Sequence, residues 1–498
     1  MRRPAILVSI LAAVGASLGG CAWKHRAPDV TLPAQYEAVA GVATLSPAEL
    51  DQWWLRFNDP ELNALENEAF RRAPDARTAE ARVLEARATR NSQTAQTLPT
   101  GNIVGNASHQ RAYNIGPPVD SLFPIGGTTI SETANLDVSW ELDLFGRLAT
   151  ARKVANADLA ATRFNIEGAR ASLAASVADS YFQARGLAIQ LADAHESVRI
   201  ESRLQDVAQR KANIGIGAAS DADRVAGDLA QARAQVEDLE AQLHVAQRQL
   251  LILVGRGVAP TASLAVAPSA DDPPPIPAAV PGELLVRRPD VREAEARLRS
   301  QVGTARLRHL AVFPTFTLLP GLGASRTVQP SVGFIPPATL IPQQQTTELG
   351  MWTLGGSVTV PTLEIPRLIY DAKAEDARTE QAVIAYEKAV QTAYGDAETA
   401  FINLAASDRA VTVLTDGEAR AHRASEAAGR RFAMGLDDIT SALSAEQAWR
   451  TTRSALTSQR VLALRRTVQT YKALGGGWAF TALPVKTPRA KTPEAKTP

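Results

Sequence analysis

The sequence holds one cysteine in 498 residues, so no disulfide framework can form within a chain. It has three methionines and six histidines, and His25, His109, His195, His244, His309 and His422 stand at no metal-ligand spacing. Aromatic residues make up only 5%, which disfavours a large sheet-based core. Neither sign of charge is in excess, 53 Lys and Arg facing 52 Asp and Glu, so the footprint of a nucleic-acid binder is missing. No nucleophile motif, phosphate loop or dinucleotide fingerprint occurs, and nothing suggests a cofactor. Proline is absent between Pro124 and Pro260 and between Pro366 and Pro484, so little there opposes continuous helix.

What is present begins with Arg2 and Arg3, an apolar run from Ala5 to Leu18, and Gly19-Gly20 directly before Cys21. That order reads as a secretory signal over 1–20. Leu18-Gly19-Gly20-Cys21 resembles a bacterial lipobox, which makes Cys21 the expected lipidation site. Ala22 follows, not the Asp associated with inner-membrane retention, and so an outer-membrane destination is expected. Beyond the signal no apolar run is long enough to span a bilayer as a helix.

The body of the chain is used twice. Pro74-Asp75 recurs at Pro289-Asp290, with Arg77, Ala79, Glu80, Ala81 and Arg82 matched by Arg292, Ala294, Glu295, Ala296 and Arg297. Further on, Arg147 matches Arg367, Tyr181 matches Phe401, Gly215 matches Gly435 and Gly255 matches Gly475. Each copy reads as a helix, two strands and two long helices, over 67–255 and 289–474. An N-terminal segment at 21–66, a Pro-rich linker at 256–288, and a C-terminal segment with a Lys-Thr-Pro tail at 475–498 complete the division. Val390, Tyr394, Ala397, Phe401, Leu404, Val411 and Leu414 form a heptad seam, echoed by Val177, Tyr181, Ala184, Ala188 and Leu191. Helix from Arg147 to about Ile214 would run on the order of 100 Å, several bilayer cores long, and its charges place it in water. Glycine at 215, 217 and 435 marks the turns into the returning helices.

Ala134, Leu136, Val138, Trp140, Leu142 and Leu144 alternate with Asn135, Asp137, Ser139, Glu141 and Asp143. One face is apolar and the other polar, as in a membrane barrel with a wet lumen lined by Asp137, Ser139 and Glu141, or in a sheet lying on a core. The signal and the lipobox favour the barrel. Strands are also expected near Gly101–Arg111, Phe316–Arg326 and Trp352–Thr362, with loops over Tyr113–Ile130 and Thr327–Gly350. Four strands cannot close a barrel, so chains must associate, two giving eight strands and three giving twelve.

With these pieces the chain resembles the outer-membrane efflux lipoproteins of the TolC-like class, in the NodT branch that serves resistance-nodulation-division pumps. Trp53-Trp54 with Phe57, Asp59-Pro60-Glu61-Leu62 and Leu65 is similar to the family's opening motif, and Tyr471 to Trp478 to its closing one. The resemblance implies a mainly α fold with a membrane β-barrel: a homotrimer whose twelve-stranded barrel sits in outer-membrane lipid above a periplasmic α-helical barrel. It also implies that the segments at 21–66, 256–288 and 475–498 form a collar. It implies a passive exit channel for drugs or xenobiotics, without cofactor or catalysis, joined by a periplasmic adaptor protein to an inner-membrane efflux pump. The tips that meet the adaptor would be Ile214, Gly215, Ile216 and Gly217 with Met434, Gly435 and Leu436. Related ducts carry an apolar residue and, four positions on, an Asp at the aperture. Here those positions hold Thr440 and Ser444, which depart from the pattern and put the usual plug and carboxylate ring in doubt. Asp437 and Asp438 nearby are expected to cap the returning helix. Alternatively they gate, paired with Arg430 or Arg431 across chains. Few Met and His argue against a dedicated copper or silver duct. Two other readings remain, a lipid-anchored coiled-coil scaffold without a pore and a duct for secreted proteins.

Overall fold

The computed structural model describes residues 26–37, 50–113, 115–116, 127–269, 273–274, 281–335 and 339–478, with the backbone alone at 284, 332–335 and 339–342. Cys21, the signal and the Lys-Thr-Pro tail lie outside the described residues. After a 3-10 turn at Trp53–Phe57 the order is α1 (Pro60–Arg72), α2 (Pro74–Ala95), β1 (Thr100–Ala112), β2 (Gly127–Leu142), α3 (Arg147–Asn213) and α4 (Ala219–Leu253). A single helical turn, Leu284–Arg287, then leads into α5 (Pro289–Leu310), β3 (Thr315–Ile335), β4 (Thr339–Thr359), α6 (Ile365–Ala433) and α7 (Ile439–Ala473). The second copy thus repeats the first, element for element, from α2 onward. A boundary at 67 falls inside α1, which continues unbroken to Arg72.

Two compact units each draw on both copies. One comprises Met1–Ala27, Glu85–Ala160 and Ala296–Ile384; the other Pro28–Leu84, Ala161–Glu295 and Ala385–Pro498.

The first unit holds a single antiparallel sheet in the order β1-β2-β3-β4. The β2–β3 ladder skips Val138 and Ser139, where Pro320 has no N–H to offer. The segment Thr327–Gly350, expected as a loop, is instead a hairpin: β3 and β4 pair from Thr315↔Thr359 out to Ile335↔Thr339. Of its prolines, Pro330 stands where it does little harm. Pro330 lies past Val328, the last β3 residue paired with β2, so its missing N–H breaks no bond of that ladder. Thr, Val and Gln supply the strand-forming remainder.

The second unit is helical, and its core explains the opening and closing motifs. Asp59 caps α1, its Oδ1 accepting from the amides of Glu61 (3.0 Å) and Leu62 (3.1 Å), with Pro60 in the first turn. Oδ2 accepts from the Tyr181 hydroxyl (2.8 Å) and from the buried Arg185 guanidinium (2.5 Å) of α3. Trp53 is wholly buried and stacks on Tyr471 of α7, centroids 5.6 Å apart. Leu62, Leu65 and Ala69 turn into the same cluster as Leu173 and Val177 of α3, Leu250 and Leu251 of α4, and Leu464 and Val468 of α7.

Gly475, Gly476 and Gly477 follow because backbone crowds there. A Cβ on Gly476 would meet the Leu50 carbonyl oxygen at 2.9 Å, and Gly477, at φ +94°, would put one 3.3 Å from the Ala171 Cα. Gly255 and Gly475 are duplicates in structure as in sequence: both have positive φ, and each abuts backbone at matched positions, Arg72 and Arg287.

Candidate functional sites on the sheet and at the helix tips

Residues directly opposite in an antiparallel ladder share a face, so the register assigns the sheet's two sides. Ile103, Leu136, Leu322 and Trp352 form one continuous row, and Leu142, Phe316 and Val358 another on the same face. Above them runs a row of small residues, Gly105, Ala134, Ala324 and Gly350. Two residues further up the apolar side ends in charge, where Arg326 stands 3.5 Å from both Glu132 and Glu348. On the opposite face Asp137 pairs with Asn102 and Gly321, Ser139 with Thr100, and Glu141 with Thr317.

Glu141 has a further task. Its carboxylate accepts from Arg147 at the start of α3, 2.7 Å from Nε, while Asp143 caps that helix through the amides of Leu148 (2.9 Å) and Ala149 (2.8 Å). It is therefore less a free lumen charge than a hinge pin between strand and helix. Its duplicate junction is built differently: Arg367 pairs with Glu364 and with Asp371 (2.9 Å) on its own helix. Phe145, Phe313 and Phe316 cluster beside the first junction, with centroids 5.0 and 6.3 Å apart.

In the second unit the two tips are built alike. Gly215 and Gly435 both have φ +75°, and the amides of Ile216 and Leu436 reach back to the carbonyls of Lys211 (3.0 Å) and Arg431 (2.9 Å). Gly217 closes the first turn onto the same Lys211 carbonyl at 3.1 Å. Ile214, Ile216, Met434 and Leu436 are each about two-thirds exposed, an unusual concentration of apolar side chains on turns of otherwise charged helices. The tips lie side by side: Ala208, Ala222 and Val225 of the first copy pack on Ile439 and Leu443 of the second.

The residues expected near the aperture part company. Asp438 is the helix cap, accepting from the Ser441 amide at 2.8 Å, and that bond holds its carboxyl below the usual range. Asp437 is not a cap but an ion-pair partner of Arg431 in its own chain, at 2.9 Å, and Arg430 lies 3.7 Å from Glu426. Ser444 spends its hydroxyl on the Thr440 carbonyl (2.8 Å), and Thr440 accepts from Arg224 of the first copy at 2.9 Å. Arg224 was missed by a reading that looked only at the second copy. The duplication carried the signal, since the spacing that pairs Gly215 with Gly435 pairs Arg224 with Ser444.

Above the tips α7 is tied to α3 mainly by charge. Arg450 pairs with the buried Glu201 (2.6 Å), Arg453 with Asp193 (2.6 Å) and Arg465 with Asp179 (2.8 Å), and Gln190 donates to Ser458 (3.1 Å). The groove between them, about 580 Å³, is lined mostly by Gln, Ser, Asp and Glu. Among the described residues no helix is long and apolar enough to cross a membrane, and no acidic, His or Cys group is arranged to hold a metal.

The chain carries a helical hairpin after each of its two strand pairs, the four strands forming one amphipathic sheet, and the family of outer membrane efflux proteins matches residues 65–256 and 280–476. The chain belongs to that family. The pyoverdine export outer membrane protein OpmQ of Pseudomonas aeruginosa is 28% identical over 93% of this chain and 95% of its own length. The antibiotic efflux pump outer membrane protein ArpC of Pseudomonas putida is 26% identical over 94% and 95%. Among solved structures the outer-membrane channel OprN superposes with a TM-score of 0.75 at 26% identity, over 92% of this chain and 99% of that one. The Neisseria gonorrhoeae MtrE channel, solved in its open state, gives 0.74 at 22% identity and shows the shared fold. The protein is an outer-membrane efflux channel, as its sequence resemblance implies.

Proposed function

We propose that three copies form a passive exit duct, with Ile103, Leu136, Val138, Leu322 and Trp352 facing lipid and Asp137, Ser139 and Glu141 on the wet side. The observation that carries this reading is the sheet register, which continues an apolar face across all four strands and leaves β1 and β4 with open edges. Open edges cannot stand in hydrocarbon, so β4 of one copy must pair with β1 of the next. The apolar face runs from Leu142 to Ala134, about 27 Å along the strand at about 3.3 Å per residue. Tilted by about 40°, that is roughly 20 Å of height, of the order of an outer-membrane barrel's apolar band. The Glu132–Arg326–Glu348 row then marks the outer boundary, and Phe145, Phe313 and Phe316 the periplasmic one.

Energy and selection belong to partners: an inner-membrane pump, and an adaptor that meets the apolar tips at Ile214, Ile216, Met434 and Leu436. Cys21 carries the lipid that helps hold the chain in the outer membrane. Relatives named for pyoverdine export and for antibiotic efflux support small organic molecules as the substrate class. Conductance of the purified protein in a planar bilayer is the decisive measurement. Stepwise single-channel currents are expected, and a bilayer that stays silent would leave only the scaffold reading.

At the closed end Thr440 and Ser444 offer hydroxyls already committed to Arg224 and to backbone, so they hold a constriction less firmly than apolar or carboxylate rings. A higher resting conductance than in relatives with both rings is expected. Ser444→Asp should lower it and raise cation preference. Unchanged conductance in Ser444→Asp, together with opening in Asp437→Ala, would move the constriction to the turn.

A further inference from the structure

Glu66 sits where a charge is least welcome. Together with Leu62, Leu65 and Ala69 it makes the inward stripe of α1, at positions three and four apart, and it is wholly buried. Neither carboxyl oxygen has a hydrogen-bond partner. We infer that Glu66 is a proton-dependent element of the helical core, neutral in the folded protein, whose ionisation loosens the packing of α1 against α3, α4 and α7.

The surroundings offer nothing to hold the charged form. Cations on the packed elements are engaged elsewhere in several cases: Arg170 of α3 over the Phe70 ring, Arg185 with Asp59, Arg248 of α4 with the carbonyls of Gly257 and Ala259, and Arg465 and Arg466 of α7 with Asp179 and Ser407. Further titratable groups on those elements are Arg56 of the 3-10 turn, Glu61 of α1, Glu167 of α3, Arg460 and Lys472 of α7, and the phenols Tyr181 and Tyr471. Burial alone pushes the Glu66 carboxyl well above the carboxylate range, with no contribution from any charged neighbour.

The direction of the effect follows. A carboxyl raised in the folded state binds its proton more tightly there than in the unfolded chain. Its contribution is fully present below the unfolded value, near pH 4.5, and is lost as pH rises through the folded value. The helical part of the duct is therefore firmer in acidic surroundings than in alkaline ones, a property open to an envelope protein whose compartment follows the medium. This is independent of the channel reading, because it concerns the core and not the pore.

The test compares full-length wild type with Glu66→Gln, which keeps shape and cannot ionise, in thermal unfolding from about pH 5.5 to about pH 9.5. Relative to the variant, the wild-type unfolding constant should rise by up to about tenfold per pH unit, the signature of one proton. The gap in melting temperature should widen steadily toward alkaline pH. A gap that does not change with pH would overturn the inference. Should Glu66→Gln fail to fold, Glu66→Met replaces it in the same comparison. The wild type alone also answers by infrared spectroscopy: a protonated-carboxyl band surviving above neutral pH supports the inference, and its absence removes it.

Discussion

Single residues in this protein matter according to what backbone or charge they touch, and two comparisons separate the cases. Asp59 caps α1 and answers the buried Arg185. Asp59→Ala leaves that guanidinium buried without its counter-charge and should cost about 3 to 5 kcal/mol in thermal or chemical unfolding. Asp59→Asn, which keeps the cap, should cost less. Glycine to alanine changes sign with position. Gly477→Ala forces a Cβ toward Ala171 at positive φ and should destabilise, whereas Gly227→Ala, where a Cβ meets nothing in α4, should stabilise by up to about 1 kcal/mol. Equal shifts in melting temperature for the two would show that the closing motif is not packed as described. Cys21→Ser should abolish fatty-acid labelling, and an unmodified Cys21 in wild-type protein by mass spectrometry would remove the lipid anchor.

Among elements, β2 is the one whose pattern could be read directly, because a strand's side chains alternate whatever surrounds it. Val138→Arg on the apolar face should cost about 2 to 4 kcal/mol of barrel stability, while Ser139→Arg should chiefly change conductance. Equal tolerance at the two positions would contradict the assignment of faces. The distal part of the β3–β4 hairpin, over Thr327–Gly350, was illegible for the opposite reason. Prolines punctuate it, and only the end of the β2–β3 pairing at Val328 leaves Pro330 without a ladder bond to break. The turns between long helices were legible from glycine alone, since Gly215 and Gly435 both take positive φ. Crosslinking from Ile216 or Leu436 should capture an adaptor in cells, and capture only of outer-membrane partners would reverse the orientation.

For the whole molecule the duplication does most of the specifying. A strict repeat of helix, strand pair and helix pair, with its heptad seams and paired glycines, follows from local preferences and periodicity, which need no knowledge of neighbours. So do the amphipathic strand, the signal and the family likeness. Tertiary structure decided the rest, because those features depend on groups distant in sequence arriving at one place. Arg224 reaches Thr440, Arg450 reaches Glu201, and Arg288 gathers Asp290, Asp396 and the carbonyls of Ala393 and Ala473 although its counterpart in the first copy is Ala73. Asp437 could be read as a cap until Arg431 was seen to claim it. Glu66 stands on an apolar stripe visible in the sequence, yet that its carboxyl meets no partner there is a fact of packing: periodicity says which face turns inward, and only the assembled core says what is waiting for it.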